Sequence, residues 1–99
     1  PAAVIKFTRL VDKKVVGRFL RLCAHYRRFI AGFAYIASPL TRLTREEVAF
    51  VRGEEQEASF NKLRQRLRTP PVLAHFDENA PTAIHTDASN VGLGAVLVQ

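Results

Sequence analysis

Ninety-nine residues with a formal charge of +6, 47% hydrophobic side chains and a single cysteine describe one small globular domain, or one domain and part of a second. That composition excludes wholesale disorder, an internal disulfide and a Cys/His zinc cluster; no apolar run approaches the roughly 18 residues of a membrane span. It points to a reducing, intracellular setting, cytoplasmic or nuclear, and the lack of Met and of a signal-peptide layout points to a segment of a longer polypeptide.

Residues 1–11 carry little punctuation, and Ala3–Phe7 reads as either a helical turn or a strand. Asp12 is suited to cap a helix that follows it. Val15, Phe19, Leu22, Tyr26 and Phe29 recur at steps of four, three, four and three, which puts them on one apolar face. Cys23 sits beside that face as a small hydrophobe. Lys14, Arg18, Arg21, His25 and Arg28 recur on a neighbouring face, and no acidic residue occurs from Lys13 to Tyr35. A solvated helix usually mixes signs to gain i,i+4 pairs. This one-signed ridge suits a polyanion such as a phosphate backbone, or else simply faces water. The helix is expected to end near Ala31-Gly32, with Gly32 in a left-handed cap.

Phe33–Leu43 reads as a second helix, kinked or divided at Pro39. Thr44–Glu47 is a polar connection, and Val48–Val51 is an apolar stretch expected to tuck under the helices. Gly53 opens a third helix, Glu54–Arg68, with Phe60, Leu63 and Leu67 as its buried stripe. Acids fill its first turn and bases its last, as the helix dipole favours, so Lys62, Arg64, Arg66 and Arg68 need no nucleic-acid role. After Pro70-Pro71 the period changes. Residues 72–77 read as an extended segment, 78–81 as a turn, and Thr82–Ala88 alternates as a strand. Ser89-Asn90 is a second turn, and Val91–Gln99 a second strand. The expected fold class is α+β: a three-helix unit over residues 1–69, then an incomplete antiparallel β-hairpin over 70–99.

Asp87 is the one candidate chemical group with a local context. On a strand it would stand near the end, before a tight turn, with His85 on the same side. It is either a turn-capping Asp or a carboxylate that holds a divalent metal against a phosphate. One carboxylate does not make a two-metal centre, and no acidic residue follows it. Gly92-Leu93-Gly94 is too short for a nucleotide-binding fingerprint.

Several blocks, taken together and in order, resemble a known family. They are Phe19–Ile30, Ala37-Ser38-Pro39-Leu40-Thr41, Ala58–Leu63, Pro70–Asp77, His85-Thr86-Asp87-Ala88-Ser89 and Gly92–Gln99. Over residues 15–99 the chain resembles the pol polyprotein of gypsy-type LTR retrotransposons, at the reverse transcriptase thumb and the start of the RNase H domain. The resemblance implies a helical thumb gripping an RNA/DNA template–primer duplex through its backbone, with Lys14, Arg18, Arg21, His25 and Arg28 as the contacts. It implies that the hairpin belongs to an RNase H-like sheet and that Asp87 is the first metal-binding, catalytic aspartate of that site. The parent then resembles an RNA-directed DNA polymerase with RNase H activity that uses Mg²⁺, its other acidic residues lying outside these 99. For this piece alone no catalysis, no cofactor and no membrane partner are expected. Arg21 departs from the family pattern, where a small residue is common, and His25 replaces a usual aromatic. The alternative is a non-catalytic interaction fragment that forms a homodimer through the exposed edge of Val91–Val98.

Overall fold

The computed structural model describes residues 12–90, and for 77–79 the backbone alone. Among these residues five α-helices follow one another: α1 (Lys13–His25), α2 (Phe33–Leu43), α3 (Glu54–Leu67), α4 (Pro70–Asn79) and α5 (Thr82–Asn90), with a short 3-10 turn at Arg27–Phe29.

Asp12 caps α1 as its sequence position suggests, its Oδ1 accepting the Val15 N–H at 2.9 Å. The carboxylate also supplies the negative charge that the lysine-bearing first turn lacks. The helix stops at His25, short of the expected Ala31. The 3-10 turn then tightens the chain, with the Phe29 N–H donating to the Tyr26 carbonyl at 2.9 Å. That tightening keeps both Tyr26 and Ile30 in the core. Gly32 takes the left-handed conformation (φ 69°), though as the entry to α2 and not as the end of α1. Helix α2 runs unbroken through Pro39. The proline cannot donate to the Tyr35 carbonyl four residues back. Tyr35 is 87% exposed, so water can take that group. Of the 48–51 stretch, Val48 and Phe50 are half-buried, whereas Ala49 and Val51 face solvent.

Helix α3 opens with the Gln56 Oε1 accepting the Gly53 N–H at 2.8 Å, and buries Phe60, Leu63 and Leu67 as their spacing requires. The core joins these to Val16, Phe19, Leu22, Cys23 and Tyr26 of the first segment and to Ala37, Leu40 and Leu43 of α2. Phe19 meets Phe60 edge-on at 4.8 Å between ring centres. Helix α1 packs on α2 and α5, and α2 on α3. Ser59 is buried, and its hydroxyl donates to the Ile36 carbonyl at 2.6 Å, a polar tie between α3 and α2. Replacing it by alanine leaves that carbonyl one acceptor contact short. Ser59→Ala is therefore expected to lower stability by about 1 kcal/mol, read as a thermal midpoint roughly 4–8 °C lower.

The expected α+β class does not hold. Among the described residues there is no strand: 70–79 and 82–90 are helical. Pro70 and Pro71 begin α4 at positions where a helix has no use for the N–H they lack. Val72 and Phe76, four apart, then bury together. In α5 the buried residues are Ile84, Asp87 and Ala88, spaced three and four apart. Seven alternating residues also contain that helical spacing. A helix satisfies its own backbone polar groups, whereas a strand needs a neighbour that the described chain does not offer. The second expected strand, Val91–Gln99, and the dimer edge Val91–Val98 lie outside the described residues, as does the segment before Asp12.

Candidate nucleic-acid interface

Lys14, Arg18, Arg21 and His25 fall within one narrow sector of α1, turned away from the face that buries Val16, Phe19, Leu22 and Cys23. Lys14, Arg21 and His25 are exposed and Arg18 is half-buried. Arg28 does not continue the row, because the 3-10 turn carries it off the helix. Its guanidinium lies over the Phe29 ring, 4.6 Å from the ring centre, with Nη2 3.4 Å from His75 Nε2. Phe29 and His75 rings stand 5.3 Å apart. Arg28 remains exposed, and this aromatic support holds it beside the stripe rather than in it.

Arg21 has a different role. It forks onto Asp87 of α5: Nε donates to Oδ2 at 2.6 Å and Nη2 donates to Oδ1. The Asp87 side chain is only 2% exposed, while that of Arg21 is 62% exposed. The hydrogen bond to Asp87, and then its charge, raise the pKa of the Arg21 guanidinium. Two candidate residues, one assigned to phosphate and the other to metal, thus satisfy each other. Lys14, Arg18, His25 and Arg28 form no ion pair among the described residues, where the other pairs are Arg42–Glu55 at 3.8 Å and Arg52–Glu57 at 3.2 Å.

The described residues do not fit a divalent-metal centre. Both Asp87 oxygens are engaged, and among the described residues no three His, Cys, Asp or Glu side chains gather to hold a metal. His85, expected on the same side as Asp87, lies two residues back on a helix and so points elsewhere. Its ring packs on Phe76 at 4.4 Å. Cys23 is buried, which pushes its thiol pKa up and removes it as a nucleophile. Arg64 lies 5.4 Å from the Phe60 ring centre, and its pKa is lowered, first by burial and then by Arg68. No helix among the described residues is long and apolar enough to cross a membrane.

Two further contacts, like that of Arg21 with Asp87, had no signal in local spacing. Lys13 reaches the carbonyl oxygens of Arg45 and, at 3.4 Å, Glu46, and so ties α1 to the loop after α2. His75 comes to Arg28 from 47 residues away. A shallow cleft of about 380 Å³ between α2 and α3, bordered by Tyr35, Pro39, Arg42, Glu55 and Lys62, carries mixed charge.

A family profile described as the RNase H-like domain found in reverse transcriptase matches residues 53–99, which take in α3 to α5. The retrovirus-related Pol polyprotein from transposon 412 of Drosophila melanogaster is 39% identical over 88 residues, 89% of this chain and 7% of that polyprotein. The transposon Tf2-3 polyprotein of Schizosaccharomyces pombe is 32% identical over 96 residues, 97% of this chain and again 7% of the polyprotein. The Tf2-4 polyprotein of the same yeast matches to the same extent. No solved structure matches. The chain thus spans a small part of the relatives it resembles. On these matches the chain belongs to the pol polyproteins of gypsy-type LTR retrotransposons, as a segment with an RNase H-like domain.

Proposed function

We propose that this chain is a thumb-like part of a reverse transcriptase polyprotein and lies along the sugar–phosphate backbone of a template–primer duplex. The outer stripe of α1 carries the reading: Lys14, Arg18 and His25 share one sector, and no acidic side chain pairs with them among the described residues. Neither residues 1–11 nor 91–99 contain an acid, so Asp77 and Glu78 are the only acids whose side chains are not described. Phosphates supply the missing counter-charge, and arginine forks onto them well. Exposed Arg28, backed by Phe29 and His75, adds a contact at the end of the stripe. Arg21 is excluded from the set because Asp87 already holds it. Such contacts position a duplex without reading its bases. The role proposed is binding and not hydrolysis, since among the described residues no three His, Cys, Asp or Glu side chains gather to hold a metal.

Fluorescence anisotropy with a labelled RNA–DNA duplex tests this. Arg18→Ala and Arg28→Ala are each expected to weaken binding equally on unrelated sequences and to reduce the salt slope by about 1. Lys62→Ala, on the α3 surface, is expected to change neither. A slope that Arg18→Ala and Arg28→Ala both leave untouched rules the stripe out as a phosphate track.

A further inference from the structure

Asp87 is the one buried carboxylate among the described residues. A buried carboxylate needs a counter-charge and hydrogen bonds to both oxygens, or it destabilises the fold. Here Arg21 supplies both from α1, 66 residues away in the chain, with one N–H on each oxygen. The guanidinium spans the two oxygens as a fork, and its outer edge stays in water. A divalent cation at the same carboxylate would have to expel Arg21, and among the described residues it would find no group of three His, Cys, Asp or Glu side chains to hold it.

We propose that Arg21 is a built-in counter-ion for Asp87, taking the place that a metal would need and latching α5 onto α1, so that in this chain Asp87 is a clamp and not a metal ligand. The latch sits where α1 and α5 pack, beside buried Ile84 and Ala88. It is independent of duplex binding, which uses the cations that Asp87 leaves free.

The test is thermal unfolding of the 99-residue chain, with and without millimolar MnCl₂ at fixed ionic strength. Wild type, Arg21→Ala, Asp87→Asn and the double variant are compared. The wild-type midpoint is expected not to respond to Mn²⁺. Arg21→Ala is expected to lose several degrees, because it leaves the carboxylate bare. The double variant is expected to be no less stable than Arg21→Ala, since the two changes remove one interaction. If Arg21→Ala fails to fold, recovery of folding in the double variant supports the clamp, and failure of both overturns it. A Mn²⁺-dependent rise in the wild-type midpoint that Asp87→Asn abolishes overturns the proposal. So does an Arg21→Ala midpoint equal to wild type, or strictly additive losses in the double variant.

Discussion

Phe19→Ala is expected to remove on the order of half of this chain's folding stability. Phe19 has no exposed surface and meets Phe60 of α3 edge-on at 4.8 Å. Truncating such a ring removes its transfer free energy and leaves a cavity, together about 3–5 kcal/mol, and the lost aromatic pair lies within that figure. A domain of this size has on the order of 5–10 kcal/mol of stability in total. The thermal midpoint should therefore fall on the order of 20 °C in calorimetry or circular dichroism. Tyr35→Ala serves as the contrast. Tyr35 is 87% exposed, and its loss is expected to change stability by no more than about 0.5 kcal/mol. Equal effects of the two substitutions would mean that the α1–α3 contact is not part of the core.

Duplex affinity is expected to collapse with salt. Lys14, Arg18 and Arg28 are the lysine and arginine members of the stripe and its extension that carry no ion pair among the described residues. Three neutralised phosphates give a slope of about −2.7 in log affinity against log salt. Between roughly 50 and 200 mM salt that is a fall of about 40-fold. The fall should be the same for duplexes of different sequence, because backbone contacts carry no base information. A loss smaller than about 10-fold over that range would leave too few phosphate contacts for the proposed grip.

The first half of the chain was largely legible. Phe19, Leu22 and Tyr26 of the first segment and Phe60, Leu63 and Leu67 of α3 are buried, as repeats sustained over several turns predict, while Val15 and Phe29 at the ends of the first stripe are half-buried. Asp12 caps α1, and acids lead while bases trail in α3. These features lie within a few residues of each other, where sequence spacing and distance in space are nearly the same thing. The end of α1 was less legible, because what stops it is the need to bury Ile30 and Tyr26 together through a 3-10 turn. The Arg28–His75 approach was not legible at all, for the same reason of distance along the chain.

Residues read from order alone therefore establish the stripes of α1 and α3, the one-signed cationic row and, through its short blocks, membership of the polyprotein family. The folded chain settled two other matters. Residues 70–90 are helical because Val72 with Phe76, and Ile84 with Ala88, find burial at helical spacing while the backbone satisfies itself. Segments of seven to ten residues carry both periods, so burial and not pattern had to choose. Asp87 became the partner of Arg21 because α5 packs on α1, and no local rule links a carboxylate to a guanidinium 66 residues away.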